Sequence, residues 1–207
     1  LAVEEWTKNI GLHYIINTVL DENMNLYRAV AGHYIHAHRK AVSYAQAVCG
    51  VSLKQRPDVV LASAYPIDID FWQCGKAAYG PTRVIAKGGE FLLLAACTEG
   101  VGPHPQILDY MALENGTEVL SHRIASQNTG EDLLTMAVGV SMGRVVRHSN
   151  VTLVTDGLLP EDCRRGQMSH CSPANLQQAL QQALERFEDP FLLIIGEGGE
   201  VIPLLED

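Results

Sequence analysis

Gln73 and Lys76 stand three residues apart in the stretch FWQCGK, residues 71–76. On a helix that spacing puts both side chains on one face, about 5 to 6 Å apart at Cβ. A lysine brings three donors and a positive charge, and a glutamine brings both a donor and an acceptor. Together they suit a carboxylate beside a hydroxyl or carbonyl oxygen, and Trp72 lies within the same helical turn. The preceding segment PDVVLASA is apolar and β-rich, so it reads as a buried strand that opens into Tyr65-Pro66. The pair therefore falls at a strand's carboxyl end, where open α/β sheets bind ligands. By themselves the two side chains favour the plainer reading of a solvated helix face, since Gln and Lys are mostly exposed.

Other groups of reactive or glycine-rich residues point to less. Glycines cluster in KGGE, EGVG and GEGG, yet none has the context of a dinucleotide loop or a lysine-bearing phosphate loop. CTEGVGPHP comes closest, because it follows the strand-like EFLLLAA and precedes the helical QILDYMA. Such a loop either aims backbone N–H groups at a ligand or is a plain strand-end turn. Of the eight histidines, His33, His36 and His38 are near in sequence, but His36 and His38 would be about 200° apart on a helix and cannot share one ion. His170 and Cys171 are adjacent, a poor geometry for a nucleophile and its base. The five cysteines include no CxxC pair, so reduced thiols are expected, with neither a disulfide framework nor a zinc site. Cys74 and Cys97 read as structural thiols in apolar surroundings.

The order of elements says what must position Gln73 and Lys76. A helix tail over residues 1–10 precedes a hairpin built from LHYIINTVL, the turn DENMN and LYRAVAG, and a helix follows from His33 to Val48. Next come a strand at 58–64, a helix at 68–86, a strand at 90–96, and helices at 103–113, 116–125 and 130–147. NVTLVTDG is a further strand, a long helix opens at Ser172-Pro173, and FLLIIGEGG is the last strand. Continuous apolar strands alternating with helices predict a mostly parallel α/β sheet flanked by helices on both faces, in Rossmann-like layers. Residues 1–50 form a hairpin and helix beside the main domain at 51–207. At 207 residues and 47% hydrophobic the chain can bury a sizeable core. Its net charge of -9 disfavours a nucleic-acid partner. No apolar run approaches the roughly 20 residues that span a bilayer, and the acidic start is unlike a signal peptide. A cytoplasmic location is expected.

YPIDIDFWQCGK, residues 65–76, resembles the Tyr-Pro, aspartate, aromatic-Gln-x-x-Lys segment of the nickel-pincer lactate racemases. The hairpin with its Ala-His-Arg helix, GGEFLLLAACTEGVG, and FLLIIGEGGEVIPLL are similar to further segments of that family in the same order. The resemblance implies the carboxyl-terminal domain of a 2-hydroxy acid racemase or epimerase. Gln73 and Lys76 would be catalytic, and Trp72, Gln73, Lys76 and Tyr65 would bind substrate. Trp72 takes a position usually held by tyrosine, replacing a hydroxyl with an indole N–H. An amino-terminal domain of the same protein would hold a nickel-pincer nucleotide, with no cofactor expected on this chain alone. The implied reaction is reversible hydride transfer from the α-carbon of a small 2-hydroxy acid. A non-enzymatic α/β module that binds a small carboxylic acid is the alternative.

Overall fold

In the computed structural model, residues 2–128, 130 and 132–206 are described. They fall into two compact units, one running to Val51 and one beginning at Ser52. The first contains α1 (Ala2–Asn9), β1 (Tyr14–Leu20), β2 (Leu26–His33) and α2 (Tyr34–Cys49). β1 and β2 pair antiparallel, and the turn between them is held by Asp21, whose Oδ1 accepts from the Asn23 and Asn25 N–H groups at 2.9 Å. His33 caps α2 by accepting from the Ile35 N–H. β3 (Gly50–Leu53) crosses the boundary.

The second unit is organised on five parallel strands: β4 (Val59–Ser63), β5 (Glu90–Leu94), β6 (Asn150–Val154), β7 (Ser169–Cys171) and β8 (Leu192–Ile195). Their order across the sheet is β7-β6-β5-β4-β8. The chain thus starts in the interior, works outward to one edge, then returns to the far side of β4. That reversal is a topological switch point, and it lies at β4, the strand that feeds the Gln73 segment.

Side-chain alternation sends the sheet's two faces into two cores. Val60, Ala62, Phe91, Leu93, Val151 and Leu153 face one large core. Over it lie α3 (Phe71–Cys74), a 3-10 turn (Gly75–Ala78), α5 (Ile107–Met111), α7 (Leu133–His148) and α8 (Pro160–Arg165), all of which contribute to that core. α5 and α7 approach closely because Gly139 has no side chain. A Cβ there would lie 2.5 Å from that of Tyr110. On the other face Val59, Leu92 and Val154 pack against α9 (Leu176–Leu184) through Ala183, Leu176, Ala179 and Leu180. α4 (Tyr79–Thr82) continues from the 3-10 turn, α6 (Gly116–Ala125) precedes α7, and β9 (Ile202–Leu205) closes the chain.

Several elements differ from the sequence expectation. The single helix over 68–86 is three short pieces from Phe71 to Thr82. Its first residues are occupied by a loop and by the Asp70 cap, and Pro81 near its end can donate no backbone hydrogen bond. The helix at 103–113 shrinks to Ile107–Met111. α8 and the three-residue β7 are additions to the expected list. Ser172 does not cap the last helix: its hydroxyl bonds to Asp156 Oδ1 at 2.8 Å, and a 3-10 turn leads into α9.

Candidate functional site

The segment after β4 is fastened to the segment after β5 before it reaches the candidate residues. The Ala64 N–H prolongs the ladder to the Leu94 carbonyl (2.8 Å), and Tyr65-Pro66, a cis peptide, starts the loop. Asp68 Oδ2 then accepts from the Ala96 N–H at 3.0 Å, and its carbonyl accepts from the Cys97 N–H at 2.7 Å. The Glu99 N–H reaches the Ile69 carbonyl at 2.9 Å. In the reverse direction the Phe71 and Trp72 N–H groups donate to the Gly100 and Val101 carbonyls. The Gly100 and Gly102 N–H groups close turns inside the loop itself. Four of the six amides of the loop CTEGVG are therefore committed, two inside the loop and two to residues 68 and 69. The loop is a strand-end brace and not the amide cradle that its glycines suggest.

Two further contacts fix the brace. Asp70, 5% exposed, caps α3 by accepting from the Gln73 N–H at 2.7 Å. It sits over Gly102, which has φ +90° and where a Cβ would come within 2.8 Å of the carboxyl carbon. Thr155, fully buried after β6, donates to the Ala96 carbonyl (3.1 Å) and accepts from the Gly157 N–H (2.9 Å). Gly157 packs so tightly that a Cβ would be 2.1 Å from the Cys97 carbonyl oxygen. The GEGG loop after β8 joins from the far side of the switch point, with the Gly198 N–H donating to the Ser63 carbonyl at 2.8 Å.

On this platform Gln73 and Lys76 meet as their spacing requires. Lys76 Nζ donates to Gln73 Oε1 at 2.6 Å. The glutamine's acceptor is thereby engaged, which changes what the pair can offer. Its NH2 group and the remaining lysine protons are all donors, and they present themselves together to an incoming oxygen anion. Trp72 packs on His104, with ring centroids 4.6 Å apart. Beside Lys76 a recess of about 140 Å³ runs inward. Buried Phe71, Ile107 and Met142 and half-buried Val138 form its depth, and Trp72, Lys76 and Tyr79 stand at its mouth. Tyr65 does not join them. It is 63% exposed, and no hydrogen bond or ring contact of its side chain to the other three is found among the described residues.

Behind the site, Cys74 and Cys97 are both fully buried with Sγ atoms 4.0 Å apart. The contact with Cys97, reinforced by burial, pushes the Cys74 thiol well up. Sequence reasoning overlooked His104 and Tyr79. His104 carries no motif and is brought to Trp72 only by the brace, and its one sequence signal is its place in the loop after a strand.

A parallel α/β domain with a switch point and a donor cluster at the carboxyl edge of its strands has the general form of an open α/β ligand-binding domain. Residues 53–202 match the lactate racemase C-terminal domain family, and the chain belongs to that family. The lactate racemase apoprotein from Thermoanaerobacterium thermosaccharolyticum is a structural neighbour with TM-score 0.74 and 22% identity, covering 97% of this chain and 48% of its own. A structural-genomics protein from Thermotoga maritima has TM-score 0.60 and 18% identity, with 99% and 52% covered. The chain thus spans about half the length of each. No curated protein matches the sequence. Among the described residues no three His, Cys, Asp or Glu side chains converge on a point that could hold a metal ion.

Proposed function

We propose that this chain is the substrate-holding domain of a lactate racemase-like 2-hydroxy acid racemase or epimerase, and that Gln73 and Lys76 grip the substrate. The observation that carries the reading is the 2.6 Å Lys76–Gln73 hydrogen bond at the carboxyl edge of β4, in a chain of this family. With its oxygen engaged, Gln73 is oriented as a donor, so two neighbouring side chains can hold one carboxylate or one oxygen that alternates between hydroxyl and carbonyl. Lys76 stabilises negative charge on that oxygen, and Gln73 fixes the acid's orientation so that either face of the α-carbon is reachable. Trp72, steadied by His104, is the apolar side of the grip.

The nickel-pincer nucleotide, which supplies reversible hydride chemistry, belongs in this reading to an amino-terminal domain of the same protein. Residues 1–50 are then the hinge-side hairpin and helix, and 51–207 the carboxyl-terminal domain. A cytoplasmic location belongs to the same reading and is supported by the five free cysteines.

The test is nickel content together with racemisation of 2-hydroxy acids by the full-length protein. Lys76→Ala should lower kcat about 10²- to 10³-fold, as loss of one charge-stabilising donor does at a desolvated site. Gln73→Ala should change both kcat and KM by about tenfold, and the double variant should fall short of the product of the two. Folded single variants with near wild-type turnover would remove both residues from the mechanism. A full-length protein that binds small carboxylic acids without nickel or turnover would instead identify a binding module.

A further inference from the structure

The recess beside Lys76 is larger than a carboxylate grip requires, and its depth has a different chemistry. A methyl group occupies about one water's share of volume, roughly 30 Å³, which would leave most of the 140 Å³ empty. Phe71, Ile107, Met142 and Val138 offer an incoming group no strong hydrogen-bonding partner. Gly75 helps to define the space: a Cβ there would press on Met142 Sδ at 3.2 Å, so the glycine leaves that side chain lining the recess. The donors stand only at the mouth, where Lys76 both lines the recess and bonds Gln73.

We propose that the recess receives the α-substituent of the acid, and that this domain selects 2-hydroxy acids with a branched aliphatic or aromatic side chain over lactate. The inference rests on the reading of Gln73 and Lys76 as the grip. With the carboxylate held at the mouth, the substituent is directed toward Val138 and Met142, where each buried CH2 is worth about fourfold in affinity, the equivalent of about 0.8 kcal/mol. A second carboxylate or a hydroxyl on that substituent would enter without a partner, which selects against dicarboxylic and polyhydroxy acids.

Titration of the isotope-labelled full-length protein with lactate, 2-hydroxy-4-methylpentanoate, 3-phenyllactate and malate, followed by NMR, tests this. All four acids should shift the Gln73 side-chain amide. The two large apolar acids should also shift the Val138 and Met142 methyl signals; 2-hydroxy-4-methylpentanoate, with three added carbons, should bind about 50-fold more tightly than lactate, and 3-phenyllactate, with six, at least as tightly as that. Val138→Phe should fill the recess and bring the affinity ratio to within about threefold of unity. Val138→Thr, of similar size but polar, should lower the ratio severalfold and decides the matter if the phenylalanine variant does not fold. Equal affinity for lactate and the large acids, with Gln73 still responding, would overturn the recess proposal and leave the grip standing. Large acids that move Met142 but not Gln73 would also overturn it. No response of Gln73 or Lys76 to any acid would overturn both.

Discussion

Adjacent residues on β5 point into two unlike halves of the domain. Leu93 enters the core shared by α3, α5, α7 and α8, whereas Leu92 enters the smaller core in which α9 is the one helix over the strands. Both are almost fully buried, at 1% and 2% exposure, so burial alone does not separate them. What differs is the depth of the layer above. Toward β6 and β7 the α9 side opens into a polar groove of about 320 Å³, with Leu92, Thr152 and His170 among its lining residues. The Gln73–Lys76 pair stands on the deeply covered side. A pair of side chains whose mutual geometry is set by its surroundings gains from a platform that cannot relax.

Truncating the two leucines should expose that asymmetry most strongly. Leu93→Ala should cost about 4 kcal/mol, near the upper end for buried leucines, because a close-packed surround cannot collapse into the cavity. Leu92→Ala should cost about 2 to 3 kcal/mol, since the adjoining groove lets side chains and solvent fill the space. Chemical denaturation of both variants decides, and a Leu92→Ala loss equal to or above that of Leu93→Ala would erase the distinction.

Thiol titration sharpens the same contrast at a smaller scale. Burial, with Asp162 nearby, pushes Cys163 on the deep side up to about 11 from an ordinary 9.0. Burial also raises Cys171 on the α9 side. A thiol raised in the folded state stays protonated there while the unfolded chain ionises. Its stabilising contribution is therefore complete below pH 9 and lost as pH climbs toward 11, by on the order of 2 kcal/mol for Cys163. Unfolding free energies across that range should fall less steeply in Cys163→Ala than in the wild type, and Cys171→Ala should change the slope less.

The smallest effect is expected at the rim of the groove. Glu90 is 6% exposed and its Oε1 accepts from Arg186 Nη1 and Asn150 Nδ2, each at 2.7 Å. Arg186 is itself largely solvated, so Arg186→Ala should cost about 1 kcal/mol, with Asn150 still holding the carboxylate. A loss above about 3 kcal/mol in thermal or denaturant unfolding would mean that the α9 side depends on this ion pair far more than its exposure implies.

The strands at 58–64, 90–96 and 150–157 were legible because short, mostly apolar, nearly uncharged runs between turn signals have few alternatives to a buried parallel sheet. β7 was not, since Ser169–Cys171 is short and only partly buried at a sheet edge, so it shows no apolar run. α8 had a readable signal in Pro160, with acids in its first turn and arginines in its last. Around the site, spacing alone brought Gln73 to Lys76. The engagement of Gln73 Oε1, the Trp72–His104 contact and the closed amides of CTEGVG depend on partners distant in sequence or on rotamers, which residue periodicity does not encode. Tyr65 shows the converse: it is near in sequence to the other three yet exposed, with no side-chain hydrogen bond or ring contact to them among the described residues.

The lacing of residues 68–72 to 96–101 also bears on how this edge can change over time. A phosphate loop recognises through its main chain, so altering its ligand means rebuilding its path. Here the main chain is already closed on itself, and an arriving molecule meets side chains from positions 72, 73, 76 and 79, with 138 and 142 deeper in. Each can be exchanged by a single codon change without disturbing the carbonyls and amides beneath it. The scaffold and whatever selectivity those side chains confer are therefore inherited separately, and a lineage carrying this domain can change the surface at this edge while its folding problem stays the same.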